Sequence, residues 1–212
     1  MMKNICFFDI DGTLIDSYEG IKYSLTLALQ KEGLEVPEDS VLRTFVGPPI
    51  ERSIARHWDI EADRVKGIAA DFQQIYRAKG YEMGQLYPQI PDVLSALQSK
   101  WELYVVTNKN PLYAQKTLAH FGISDYFKEI LCTDRVHGID KQDLIRDALQ
   151  KYPLVENAVM IGDTMEDYHA AKENNCAFIG ALYGFGLRQS DASHFKAVTT
   201  PIEYLAMLMS AE

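Results

Sequence analysis

Three short stretches of this chain place carboxylates, hydroxyls and amines at the ends of apolar runs. Ile5-Cys6-Phe7-Phe8 leads into Asp9-Ile10-Asp11-Gly12-Thr13. Leu103-Tyr104-Val105-Val106 leads into Thr107-Asn108-Lys109, and Ala158-Val159-Met160-Ile161 into Gly162-Asp163-Thr164-Met165-Glu166-Asp167. Asp9 and Asp11 stand two positions apart, so on an extended segment their side chains share a face. One can act as nucleophile and the other as acid or base on the same substrate. Carboxylates brought together stay ionised only beside a cation or by sharing protons. Carboxylates with carbonyls and water suit a hard cation, and Mg²⁺ commonly takes one or two carboxylates, waters and phosphate oxygens. Gly12 allows a tight turn, after which main-chain amides can face an anion.

Elements of a particular kind must position these groups. Each apolar run reads as a short buried strand, and Glu129–Cys132 and Ala177–Gly180 read as two more. Helical spacing appears at Val93/Leu94/Leu97, Tyr113–Phe121, 141–151 and 166–174. Such alternation implies a parallel sheet with right-handed crossovers. In open sheets of this kind the ligand crevice lies beyond the carboxyl ends of the strands, so the three segments converge.

Residues 16–80 differ, being nearly all helical in pattern. Tyr18, Ile21, Leu25 and Ala28/Leu29 form one apolar stripe. Asp16 with Glu19 has the spacing of a capping box, and Gly33 stands where a left-handed cap belongs. Two short helices across 37–58 are broken at Gly47-Pro48-Pro49. Val65, Ile68, Phe72, Ile75 and Tyr76 mark another helix closing at Gly80. The expected architecture is α/β: a core of residues 1–15 and 85–212, with an all-helical insertion over 16–84.

Composition limits the partners. The 212 residues carry 30 acidic and 21 basic side chains, a formal net charge of −9 at pH 7. That disfavours nucleic acid and anionic membrane surfaces as partners. It does not disfavour a small phosphate ester, because local charge decides that binding. No apolar run approaches the roughly 18–20 residues that span a bilayer. Cys6, Cys132 and Cys176 form no CxxC pair, so they are expected as free thiols of a cytoplasmic protein. The five histidines have no metal-binding spacing.

The ordered set resembles the haloacid dehalogenase-like hydrolase superfamily. Asp9-Ile10-Asp11-Gly12-Thr13 matches its first motif, Thr107 the second, Lys141 the third, and Gly162-Asp163 with Asp167 the fourth. The resemblance runs from the first strand to about residue 170. It implies a Rossmann-like core and a covalent mechanism. Asp9 would become an aspartyl-phosphate. Asp11 would protonate the leaving alcohol, then activate water, and must carry a proton for the first task. Thr107, Asn108 and Lys141 would bind phosphoryl oxygens. Asp9, Asp163 and Asp11 through its main-chain carbonyl would hold Mg²⁺, and Asp167 would orient Lys141 or a metal-bound water. Gln142 follows Lys141 where the family often has Pro. Lys109 is a rival phosphate ligand, since Thr-Asn-Lys also occurs in the phosphoglycolate phosphatase-like branch.

The insertion resembles the family's mobile cap, hinged near Gly12–Ser17 and Gly80–Leu86. Its Gly47-Pro48-Pro49 loop would face the core and help select the substrate, with Arg43, Arg52 and Arg56 as possible anion contacts. Val46-Gly47-Pro48-Pro49 and Leu86-Tyr87-Pro88 are similar to phosphoglycolate phosphatases and their bacterial 5′-nucleotidase-like relatives. The implied activity is Mg²⁺-dependent hydrolysis of a small phosphomonoester, phosphoglycolate- or nucleotide-like, by a monomer or homodimer. A sugar-phosphate mutase with the same chemistry is the alternative. Dehalogenation is disfavoured, because Asp11 fills a position where that chemistry uses no acid.

Overall fold

The computed structural model describes residues 2–134 and 136–209. The chain opens with β1 (Lys3–Phe8) and a short β2 (Ile15–Asp16), then four helices: α1 (Tyr18–Lys31), α2 (Asp39–Leu42), α3 (Ile50–His57) and α4 (Ala62–Ala78). After β3 (Gln85–Leu86), strands and helices alternate: α5 (Ile90–Leu97), β4 (Glu102–Thr107), α6 (Pro111–His120), β5 (Glu129–Cys132), α7 (Lys141–Gln150), β6 (Val155–Gly162), α8 (Met165–Glu173) and β7 (Ala177–Ala181). β8 (Lys196–Val198) and α9 (Glu203–Leu208) complete the described chain.

Among the described residues the main sheet has six strands, ordered β5-β4-β1-β6-β7-β8, and every neighbouring pair is parallel. Strand order reverses about β1, with β4 and β5 on one side and β6 to β8 on the other. Such a switch point opens a crevice at the carboxyl ends. Phe8 pairs with both Val105 and Ile161, so Asp9, Thr107 and Asp163 emerge at nearly the same level.

Burial on both faces explains why these strands read as unbroken apolar runs. Cys6, Phe8, Val105 and Ile161 pack beneath α5, α6 and α9, around Ile90, Leu94, Leu118 and Tyr204. Ile5, Phe7, Tyr104, Val106 and Met160 face the other way, against Ile145, Ala148, Ala170 and Ala171 of α7 and α8. Each fully buried Leu, Ile or Phe contributes roughly 1.5–3 kcal/mol. Helices α1–α4 enclose a second cluster that includes Leu25, Leu29, Ile54 and Ile68, with Tyr113 of α6 reaching into it.

Local differences have simple causes. The antiparallel ribbon β2–β3 joins Ile15 to Leu86 where the chain enters and leaves the helical segment. With two residues on each strand, it is too short to leave a period in the sequence. Helix α1 begins after Ser17, and Asp16 caps no box with Glu19; its Oδ1 instead accepts the Tyr18 N–H at 3.1 Å. Gly33 ends α1 as expected, with φ +68° and the Leu34 N–H returning to the Leu29 carbonyl at 3.0 Å. β8 and α9, at three and six residues, are too short to leave a readable pattern in the sequence. All three cysteines are free, and Cys132 is only half-buried.

Candidate active site

Asp9 lies one residue beyond β1, with its N–H held by the Ile161 carbonyl at 3.0 Å. Thr107 ends β4, and Asp163 lies one residue beyond β6; all three side chains are buried. The fourth contributor arrives on a helix. Lys141 is the first residue of α7, between the capping pair Asp140 and Asp143, and is only 2% exposed. A helix N-terminus is electrostatically unfavourable for a cation. Two carboxylates offset this: Lys141 Nζ lies 2.6 Å from Asp167 Oδ1 and 3.0 Å from Asp9 Oδ1.

Asp167 is fully committed. Its other oxygen, Oδ2, accepts from the Thr164 hydroxyl at 2.6 Å and the Thr164 N–H at 3.1 Å, forming the capping box of α8. Asp163 is half committed. Its Oδ2 accepts from the Phe185 and Gly186 N–H groups at 2.8 and 3.3 Å, while Oδ1 is buried without a protein hydrogen-bond partner. Oxygens of Asp9, Asp163 and Asp167 lie within 4.8 Å of one another.

Asp11 has its own cation. Lys109 Nζ stands 2.9 Å from Asp11 Oδ1 and donates to Tyr76 Oη of α4 at 3.0 Å. Neither this contact nor that of Lys141 with Asp9 has the direction of a good hydrogen bond, so both carboxylate oxygens can still accept one. The Thr107 hydroxyl accepts the Lys109 N–H at 3.2 Å and keeps its own proton to donate. Asn108 Nδ2 donates to Glu166 at 3.1 Å, and its Oδ1 accepts from Thr133.

The four aspartates and two lysines sum to a formal charge of −2, which one divalent cation balances. The ionisation of these groups reflects that excess. Burial, with the charges of Asp167 and Asp11 added and Lys141 opposing, pushes the Asp9 carboxyl up to about 7. Burial and the charges of Asp9 and Asp167 push Asp163 well above the usual carboxylate range. For Lys141, burial alone would lower the ammonium pKa; Asp167 and Asp9 outweigh it and raise it above the ordinary lysine range. Charge and donor set therefore fit a hard cation held by Asp9 and Asp163, with the orphaned Asp163 Oδ1 free to meet it.

The loop Gly184-Phe185-Gly186, which carries no reactive side chain, shapes this corner. A Cβ on Gly184 would lie 2.4 Å from both the Gly12 carbonyl oxygen and Asp163 Cβ. Gly12, at φ +84°, is equally confined, since its Cβ would meet Asp163 Oδ2 at 2.1 Å. The available signal was Gly184-Phe185-Gly186 just past a strand end. Its contacts with Asp163 are main-chain ones, which side-chain chemistry does not advertise.

A cavity of about 620 Å³ lies between the helical segment and the core. Phe45, Gly47, Pro48, Pro49, Phe72 and Tyr76 line it from the first, and Asp11, Asn108, Lys109 and Tyr113 from the second. A smaller cavity of about 360 Å³ opens on the other side of Lys141, lined by Arg52, Gln142, Glu166 and His169. Arg43 stacks 4.2 Å over the Tyr18 ring, and Arg56 lines neither cavity. No described helix is long and apolar enough to cross a membrane.

Known proteins are similar to this chain in sequence and in fold. A 5′-nucleotidase of Pseudomonas aeruginosa is 34% identical over 200 residues, 90% of this chain and 89% of its own. Tyrosine-protein kinase PtkA of Mycobacterium tuberculosis is 34% identical over 186 residues, 86% of this chain and 63% of its own. A phosphoglycolate phosphatase of Neisseria meningitidis is 32% identical over 200 residues, 88% and 85%. The solved structure of a haloacid dehalogenase-like family hydrolase from Streptococcus pneumoniae superposes with a TM-score of 0.87 at 34% identity, covering 97% of this chain and 98% of that one. Residues 6–181 match the family model of the haloacid dehalogenase-like hydrolases. The chain belongs to that family, as a phosphoric monoester hydrolase similar to phosphoglycolate phosphatases and 5′-nucleotidases.

Proposed function

We propose that the protein hydrolyses a small-molecule phosphomonoester in the cytosol, with Mg²⁺, through an aspartyl-phosphate on Asp9. The observation that carries this is the placing of Asp9 between a buried ammonium, at 3.0 Å, and a second carboxylate, Asp163, with a free oxygen. Asp9 attacks phosphorus, the ester P–O bond breaks, and Asp11 gives its proton to the departing alkoxide. Asp11 then takes a proton from water as the water oxygen attacks the same phosphorus. The bond to Asp9 breaks, and inorganic phosphate leaves. Thr107, Asn108 and Lys141 hold the phosphoryl oxygens. Asp9, Asp163 and the Asp11 carbonyl would hold Mg²⁺, which when bound supplies positive charge to the phosphoryl oxygens. Asp167 keeps Lys141 in place.

Residues 16–84 act as a cap over this site, hinged at the β2–β3 ribbon, and Gly47-Pro48-Pro49 contributes to the wall that selects the substrate. That wall supports a nucleotide-like leaving group over glycolate. Clefts for drug-sized ligands run from about 300 to 1,000 Å³ and are mostly apolar. Here Phe45, Phe72, Tyr76 and Tyr113 offer aromatic surface to a base. A glycolate carboxylate would need a cation, and Lys109 is already paired with Asp11.

Purified protein with Mg²⁺ should release phosphate from an aryl phosphate, and Asp9→Asn should release none; equal activity would refute the mechanism. A nucleoside 5′-monophosphate should exceed phosphoglycolate in kcat/KM, and the reverse order would refute the substrate reading alone.

A further inference from the structure

One ammonium ties the helical segment to the residue proposed as acid and base. Lys109 leaves the core just past β4, and its side chain is only 6% exposed. Its Nζ donates to Tyr76 Oη at 3.0 Å and forms an ion pair with Asp11 Oδ1 at 2.9 Å. Tyr76 is held in turn. Its ring stacks on Phe72 at 5.7 Å between centroids and meets the edge of Tyr113 at the same distance. Tyr113 donates from its hydroxyl to the Gln73 carbonyl at 3.2 Å and receives a hydrogen bond from Arg77 Nε at 3.3 Å. So α4 is fastened to the start of α6, and Lys109 passes that fastening to Asp11. Asp11 Oδ1 has no hydrogen-bond partner, so the ion pair with Lys109 is the contact that orients it.

We propose that Tyr76 and Lys109 form a latch that positions the Asp11 carboxylate when the helical segment is seated on the core, and that the step it serves is hydrolysis of the aspartyl-phosphate. This rests on the covalent mechanism proposed above. Lys109 is then a positioning residue rather than a phosphate ligand. In that step Asp11 must point at the attacking water while taking its proton. With Tyr76 withdrawn, Lys109 loses a partner and the carboxylate loses its orientation, so water is activated only under a closed lid.

The test uses 4-nitrophenyl phosphate and Mg²⁺, because nitrophenolate leaves without a proton and the first step is thereby spared. Tyr76→Phe removes one oxygen and is checked for fold by thermal melting. It should keep KM within about twofold and lower kcat roughly tenfold, the effect of a modest misplacement. Rapid mixing should show a nitrophenolate burst whose amplitude rises toward one per active site. Lys109→Met should give the same burst and a larger loss of kcat; if it does not fold, Tyr76→Phe alone decides. A raised KM with kcat kept would make Lys109 a substrate ligand and overturn the proposal. A lowered kcat without a larger burst, or unchanged kinetics, would overturn it as well. Asp9→Asn separates the two levels: if it turns over like the wild type, the covalent mechanism fails. If it is inactive while Tyr76→Phe is silent, only the latch falls.

Discussion

The charge excess at the site sets a measurable link between Mg²⁺, pH and stability. Asp9 titrates at about 7 in the metal-free fold, against about 3.9 in an unfolded chain. Below about pH 4 the carboxyl is protonated in both states and costs nothing. From there to pH 7 the folded protein binds the extra proton, so metal-free stability falls as pH rises. About three pH units at about 1.4 kcal/mol each give a loss of roughly 4 kcal/mol from Asp9, to which Asp163 adds. Under the proposed function Mg²⁺ binds the ionised form, so its affinity should follow the same titration in the opposite sense. At 100 times its Kd at pH 8, it should stabilise by about 2.7 kcal/mol, or roughly 5–10 °C in Tm for a chain of this size. At pH 5, two units below the Asp9 value, the same concentration should meet a site weakened roughly 100-fold and shift Tm by about 1 °C. Differential scanning fluorimetry at the two pH values reads both numbers. Asp163→Asn should melt above the wild type without metal at pH 8 and lose the Mg²⁺ response. Equal Mg²⁺ shifts at pH 5 and 8, or a full shift in Asp163→Asn, would refute the link.

Gly184→Ala should fold yet lose roughly 100-fold in kcat/KM, because a methyl 2.4 Å from Asp163 Cβ and the Gly12 oxygen forces a shift of about 1 Å; wild-type activity would disprove the proposed confinement. Far from the site, Glu102 is buried enough to be raised, but hydrogen bonds from Lys128, Lys3 and Tyr152 outweigh that and hold it at about 2. Its contribution is complete above the unfolded value near pH 4.5 and is lost as pH falls toward 2. Glu102→Gln should therefore cost about 1–2 kcal/mol in urea melts at pH 7, with the difference shrinking below pH 4.5.

What the sequence reveals and what it conceals divide along physical lines. Asp9, Asp11, Thr107 and Asp163 stand out because each follows a strand buried on both faces, and such strands read as unbroken apolar runs. Their convergence follows from parallel topology alone. Lys141 is harder to recognise: its carboxylate partners lie 26 residues ahead at Asp167 and at the far end of the chain at Asp9, and nothing local marks it as buried. Lys109 and Tyr76 are 33 residues apart, and only packing of α4 on α6 brings them together. Gly184-Phe185-Gly186 escapes notice because any residue could supply an N–H, and only the crowding around Asp163 requires glycine. β8 runs from exposed Lys196 through half-buried Ala197 to buried Val198, so no alternation develops.

The pairing pattern also explains how a chain of charge −9 can receive an anion. Lys141 is shared by Asp9 and Asp167, and Lys109 serves Asp11. Asp167 spends its second oxygen on the cap of α8, and Asp163 spends one on two main-chain amides. The carboxylate oxygens left without a hydrogen-bond partner are Asp163 Oδ1, Asp9 Oδ1 and Asp11 Oδ1. One divalent cation would balance the excess of two negative charges, and under the proposed function Asp163 Oδ1 and Asp9 would hold it. The same crevice holds two buried ammonium groups, those of Lys141 and Lys109, and the Thr107 hydroxyl. Under the proposed function a phosphoryl group would meet the local positive charge of Lys141, whatever the sign of the protein's surface.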